Sequence, residues 1–391
     1  MTALRQIGAV TAMNLRNIPQ RLGSSCVVVV GIAGVVGVLV SVLGITTSLS
    51  DTLLSTGRAD RAIVLRSGAN AEVSSGLSVD ATLTIADAPG VARTAEGAVA
   101  ATIDMVTGVN LEKTDGSLGA VTLRGTGAAV LDVRPEIELV DGRMFERGLR
   151  ELIVGASAQG EFATLEIGDR VALHDSEWTI VGVFRSGDVL ESGMLADVDT
   201  LLSTYQRVGG SSVTVKLESE ESFDMFRDAL TSNPMLTVDV LREVDYYRRQ
   251  SEGIGDILQV VTSFVAGIMA VGALFAALNT MYAAVSSRSV EIATLRAIGF
   301  GSAGVVASVL CEALLLSLAG AFLGAAVAWA LFNGNTINVG SLIASIVFQL
   351  RVGPDLVAQG VLWACAVGFL GGLFPAIRAA RLPIATAIRG L

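Results

Sequence analysis

The chain has 391 residues, of which 52% are hydrophobic and only 16% charged, and its mean hydropathy is +0.63; few water-soluble domains combine these values. The formal net charge of −10 is unevenly placed, since residues 50–255 hold 33 acidic and 18 basic side chains while the remainder is basic or neutral. This balance points away from a nucleic-acid partner, and one histidine with three scattered cysteines points away from a zinc site or a disulfide framework.

Residues 1–25 carry Arg5, Arg16 and Arg21 with no acid and read as an amphipathic leader. Residues 26–49 form an uncharged apolar run, long enough to cross a bilayer core about 30 Å thick as a helix. The run is too long for a secretory signal and lacks a small-residue cleavage site, so it reads as a retained anchor. Gly31, Gly34 and Gly37 lie along one stripe of it.

From residue 50 to 255 the pattern changes to short β-rich runs broken by Gly, Asp and Pro. Strands are expected at 62–65, 99–105, 120–123, 151–154, 170–173, 178–184, 212–217 and 236–241, with turns at Asp141-Gly142 and at 167–169. Residues 222–231 read as an amphipathic helix with Phe223, Phe226 and Leu230 on one face. From Glu243 onward strong helix formers run into the second apolar segment, a stalk with Gly253 and Gly255 as weak points. The region is an α+β domain large enough for its own core. It carries no nucleophile–base pair, and acidic clusters such as Glu136/Glu138 and Glu218/Glu220/Glu221 read as solvated surface.

Three further spans follow, at residues 256–285, 303–332 and 356–376, separated by a loop at 286–302 and a short connection at 333–355. A tail, 377–391, ends the sequence given. The fold class is therefore a membrane protein with four transmembrane helices in a one-plus-three arrangement and a large α+β domain between the first two. Gly320 and Gly324 in the third span make a small-xxx-small pair of the kind that brings helices together. Arginines without matching acids mark the leader, the loop (Arg288 and Arg296 against Glu291) and the tail (Arg378, Arg381, Arg389). With four spans all three fall on one side, which the positive-inside rule makes cytoplasmic, leaving 50–255 and 333–355 outside.

Two intramembrane polar residues call for a reason. Glu312 lies about ten residues into the third span, where a charge costs at least ~2.5 kcal/mol. A structural or coupling role fits it better than direct transport, with Asn279 of the second span as a candidate hydrogen-bond partner. The loop is helix-prone, with Val290, Leu295 and Ile298 interleaved among Arg288, Glu291 and Arg296. Such a segment either lies against anionic lipid or seats in a partner protein's groove.

The loop reads Arg288-Ser-Val-Glu291-Ile-Ala-Thr-Leu295-Arg296-Ala-Ile-Gly299. It resembles the signature between the second and third spans of MacB/FtsX-type permeases, the mechanotransmitting class of ABC transporter, with Ala293 where a glycine is usual. Glu312-Ala-Leu-Leu-Leu-Ser-Leu-Ala-Gly320 and Pro375-Ala-Ile-Arg378-Ala-Ala-Arg381 resemble the third span and tail of that family. Leu139-Val-Asp-Gly142-Arg143-Met-Phe145 and Trp178-Thr-Ile-Val-Gly182-Val resemble its external domain.

The resemblance implies a homodimer in the bacterial inner membrane that engages two copies of an ATPase and relays ATP-driven motion to the external domains. Arg288, Glu291, Leu295, Arg296, Ile298 and Gly299 would contact the ATPase, with Leu295 and Ile298 buried in its groove. The sequence has no G-x-x-x-x-G-K-[S/T] loop, and its two lysines, Lys113 and Lys216, lie in the 50–255 region. The chain is therefore expected to have no enzymatic, cofactor or metal site of its own, with ATP and magnesium held by the partner ATPase. The leading expectation is export with a periplasmic adaptor. Lipoprotein or lipid extraction from the membrane, and FtsX-like regulation of cell-wall hydrolases without transport, are the alternatives.

Overall fold

The computed structural model describes residues 22–287, 289–297, 301–340 and 345–381. It divides into a helical unit and a sheet unit, the latter comprising Ser48–Gly255 and Thr336–Gln349. The first helix, α1, is Leu22–Thr56. After it come ten strands: β1 (Arg61–Arg66), β2 (Ala101–Glu112), β3 (Leu118–Thr126), β4 (Glu138–Gly142), β5 (Glu151–Gly155), β6 (Arg170–Leu173), β7 (Ser176–Arg185), β8 (Gly193–Asp197), β9 (Ser212–Lys216) and β10 (Val238–Arg242). They form one mixed sheet in the order β10-β1-β9-β2-β3-β8-β5-β7-β4, with β6 beside β7.

β2 changes partner along its length. Ala101–Asp104 pair antiparallel with β9, and Met105–Glu112 pair antiparallel with β3. The strand thus links two lobes with separate cores. In one, Ile85 of α2 (Val79–Ala86) and Phe226 of α6 (Ser222–Thr231) pack in one cluster with Val213 and Val215 of the sheet. In the other, Val121, Leu123, Leu152, Trp178 and Met194 form the centre. The short helices α3 (Val130–Val133), α4 (Ala156–Glu161) and α5 (Val198–Thr204) lie between its strands in sequence. Helix starts have local causes: Ser78 accepts from the Ala81 amide and Asp197 from that of Thr200.

Two expectations change here. Asp141-Gly142 does not form a turn between elements but ends β4, where the register with β7 shifts between Leu139 and Asp141. Gly142 takes φ +74° with the Val181 and Gly182 backbone against it, a position only glycine fills without strain. The connection at 333–355 contains a hairpin, β11 (Thr336–Gly340) with β12 (Ser345–Gln349), paired from Thr336↔Gln349 inward.

The chain leaves β10 directly into α7 (Glu243–Ser287), which continues without a break through Gly253 and Gly255. A short helix, α8 (Ser289–Ala297), then leads to α9 (Ser302–Phe332), the hairpin and α10 (Pro354–Arg381). Among the described residues, four helices are long and apolar enough to cross a membrane: Ser25–Thr56, Val260–Ser287, Ser302–Phe332 and Pro354–Arg381.

Within the helical unit, glycine sets how closely these helices approach. Gly320 meets the Val29 carbonyl and Ile32, and Gly324 meets the Ala33 backbone, so this pair serves contact with the chain's own α1. Gly368 and Gly372 of α10 lie against Ser317 and Ala313 of α9 in the same manner.

Candidate functional site

The sheet unit buries charge where the ends of two helices meet it. α1 closes at Thr56, and a Cβ on Gly57 would stand 2.5 Å from the Val244 Cα, so only glycine allows this approach to the head of α7. Glu243, the first residue of α7, has no exposed surface. A carboxylate there faces the positive end of the helix dipole. Its Oε2 accepts from Arg61 Nε at 2.6 Å and from the Arg58 amide at 3.2 Å.

Arg61 opens β1, is 1% exposed, and donates to three further groups. Nη1 donates to the Val133 carbonyl at 3.0 Å and to Glu136 at 2.6 Å, and Nη2 donates to the Thr56 carbonyl at 3.1 Å, the last residue of α1. Arg134 Nη1 stands 2.7 Å from Glu243 Oε1, an ion pair buried on both sides. Thr56 adds a further tie, its hydroxyl accepting from the Val189 amide at 3.1 Å.

A second cluster adjoins this one through Tyr246 and Tyr247, adjacent residues of α7 whose rings meet edge-on at 5.1 Å and are each 4% exposed. Arg124 of β3 grips Glu72 with two parallel bonds of 2.8 and 2.6 Å and donates to Asp104 at 2.8 Å. Ser212 donates to Glu72 at 2.6 Å, and Asp104 and Ser212 face each other across β2 and β9, where β2 changes partner. The Tyr246 hydroxyl accepts from the Glu72 amide at 3.2 Å and from Gln250 at 2.6 Å. A cavity of about 140 Å³, lined by Leu53, Glu72, Arg124, Leu190, Tyr246 and Tyr247, lies alongside.

Three arginines and four carboxylates are thus gathered inside the sheet unit. Burial alone would push the Glu72 carboxyl up, but the charge and hydrogen bonds of Arg124, with Ser212 and Arg134, hold it below its usual 4.5. Burial would likewise lower the Arg134 guanidinium, and Glu243, Tyr247 and Asp104 together outweigh this, keeping it above the ordinary arginine range. Burial raises the Tyr246 and Tyr247 hydroxyls, and it also raises Asp188, which is capped by Ser186.

A carboxyl with a lowered folded value contributes stability that is complete above its unfolded value and is lost as pH falls through the folded one. Hydrogen exchange of β2 and β3 amides in the full chain, followed from about pH 6 to about pH 3, is therefore expected to show less acid loss in Glu72→Gln than in wild type. The difference in slope appears below the usual glutamate value and cannot exceed the one-proton limit of ~1.4 kcal/mol per pH unit. Equal slopes would show that Glu72 carries no such linkage. The Asp188 contribution has the opposite sign and cancels in the comparison.

This arrangement contains no nucleophile or proton relay, and among the described residues no three His, Cys, Asp or Glu side chains are grouped to hold a metal ion. Its physical capacity is to fix the orientation of helix ends. Exchanging such pairs for apolar groups is often neutral, while removing one partner strands a buried charge, so their use is specification of geometry.

The acidic clusters expected to be solvated divide. Glu138, Glu218, Glu220 and Glu221 are exposed, whereas Glu136 is a partner of the buried Arg61 and is drawn inside. Sequence reasoning missed the network. The available signal was charge among apolar neighbours: Asp104 within an expected strand, Arg124 just after another, and Arg134 beside Val133.

In the helical unit, Glu312 of α9 is buried, next to the fully enclosed Ser308 and to Ala313, against which Gly372 of α10 packs. Asn279, expected as its partner, sits on an exposed face of α7. Glu291, Leu295 and Arg296 lie on α8, whereas Arg288, Ile298 and Gly299 fall outside the described residues. On α8, Ile292 and Ala293 are buried, and Ile292 packs with Val285, Val305, Val309, Ala376 and Ala379 from the ends of α7, α9 and α10.

Residues 25–233 match the MacB-like periplasmic core domain, and residues 263–384 match the FtsX-like permease C-terminal region. The chain is 24% identical over 243 residues to the ABC transporter permease YknZ of Bacillus subtilis, covering 58% of this chain and 57% of that protein. It is 26% identical over 410 aligned residues to the macrolide export ATP-binding/permease protein MacB of Neisseria meningitidis, covering 96% of this chain and 58% of that protein. The chain therefore spans little more than half the length of either. The crystal structure of the periplasmic region of MacB from Actinobacillus actinomycetemcomitans is similar at a TM-score of 0.37 and 15% identity, covering 49% of this chain and 92% of that one.

Proposed function

The chain belongs to the MacB/FtsX-type permeases of ABC transporters, and on that basis we propose that it relays the work of a separate ATPase through α7 and α1 to the sheet unit, for export of a substrate gathered on the outer side of the inner membrane. The observation that carries this reading is Glu243. It begins an uninterrupted helix of 45 residues and is clasped, fully buried, by arginines from two other elements. A helix held this way passes rotation or displacement to the sheet without slip at its head. The permease works as a dimer, and a periplasmic adaptor receives the motion of the sheet unit.

α8 is the element that meets the ATPase in this reading. Ile292 and Ala293 face the chain's own helices, which anchors α8 to the ends of three membrane helices at once. Exchanging the charges of Glu291 and Arg296 in a Glu291→Arg, Arg296→Glu protein is expected to leave insertion intact and to reduce co-purified ATPase by about tenfold, equivalent to ~1.4 kcal/mol. Undiminished recovery together with undiminished stimulated ATP turnover would sink the assignment.

A further inference from the structure

A second cavity, of about 410 Å³, lies wholly within the helical unit among α1, α7 and α10. Its lining is sorted by depth. α1 rises through it while α7 and α10 run the opposite way, so the two ends can be assigned from position in each helix. One end is formed by Thr46, Thr262, Ser263 and Gln359, and the other by Val35, Leu39, Ala270 and Val367. Among the described residues that line it, none is charged. From Val35 to Thr46 a helix rises about 16 Å, half of a bilayer core of about 30 Å, so the groove spans one leaflet. Depth on the α7 wall comes from small residues: a Cβ on Gly267 would meet nothing within 4 Å. Ser263, Gln359 and Trp363 are exposed, so the groove opens sideways to the surface of the unit.

We infer that this groove holds one acyl chain of a membrane lipid, taken from the leaflet adjoining the residues that lead into the sheet unit. The apolar half takes the hydrocarbon. The Thr46 hydroxyl is spent on the Val42 carbonyl, but the Ser263 hydroxyl and the Gln359 carboxamide at that end offer donors for an ester or amide carbonyl, the linkage found where an acyl chain meets its headgroup. The volume lies within the ~300–1,000 Å³ range of small-molecule sites. The inference depends on four membrane spans and is independent of the ATPase and of export.

The test uses the full chain in vesicles of phosphatidylethanolamine and phosphatidylglycerol that contain a phospholipid with a photoreactive diazirine in its acyl chain. Cross-links are mapped by mass spectrometry. α1 peptides containing Leu39 should be labelled well above α9 peptides containing Phe322, which is exposed and reports bulk lipid. Gly267→Trp, which fills the groove, should cut the α1 label at least tenfold and leave the Phe322 label unchanged. Ala270→Ile, a smaller addition to the same wall, gives the same reading if the tryptophan variant does not yield folded protein. Gln359→Leu should lower the label severalfold by removing a donor at the polar end. Equal labelling at Leu39 and Phe322, or labelling of α1 untouched by the filling variants, would mean bulk lipid only and overturn the site.

Discussion

Glu243→Ala is expected to loosen the sheet unit by about 3–5 kcal/mol and to abolish coupling to the ATPase while the chain remains in the membrane. The cost comes from what the alanine leaves behind. Arg61 keeps Glu136 and two carbonyls, but Arg134 loses the carboxylate that faces it, deep inside the unit. Hydrogen exchange should report faster opening at β1 and β10, and stimulated ATP turnover should fall to the level of the ATPase alone. Glu243→Gln separates charge from shape: it can still accept from Arg61 and from the Arg58 amide, so its loss should be smaller. Wild-type protection in Glu243→Ala would show that the network is decoration, and the relay reading would lose its main support.

The second large effect concerns the helical unit. Gly324→Leu is expected to prevent α1 and α9 from packing, because a side chain at 324 would have to occupy the space of the Ala33 backbone. Overpacking a core costs about 1–3 kcal/mol when side chains can yield, and here the obstacle is a carbonyl that cannot. Most of the protein should be lost to aggregation or degradation, and the remainder should melt well below wild type in detergent. Gly31→Ala is the matched control. It lies in the same helical unit, on α1, with nothing within 4 Å of its would-be Cβ, and should behave like wild type. Similar stability of the two variants would contradict the close approach.

Those two sites differ in how far they could be read from sequence. Glycine spacing in an apolar run announces close helix packing, so Gly320 and Gly324 stood out, though their partner did not. Helix α6 and strand β6 were legible to the residue because amphipathic period and flanking turns coincide there. β8 was not, since Gly193–Asp197 is buried throughout and shows no alternation. The hairpin after α9 was also missed in a connection read only as short. The four-span layout with an α+β domain between the first two was legible because long apolar runs are local signals. The ion network is the opposite case: Arg61 and Glu243 lie 182 positions apart, and nothing in either neighbourhood names the other.

The way β1 and β10 are joined to the membrane helices sets how the sheet unit responds to load. α1 leads into β1 at Arg61, β10 leads into α7 at Glu243, and the strands are antiparallel neighbours with Ala62 opposite Arg242. Both attachments therefore sit at one end of a single ladder. Drawing the two helices apart would peel that ladder like adhesive tape, each rung bearing the tension alone before passing it to the next. Moving them together would spread the same force in shear across β9 and the strands beyond. The joint is compliant to spreading and stiff to a common pull, and the Arg61–Glu243 pair is the rivet at the mouth of the seam, where a crack would have to start.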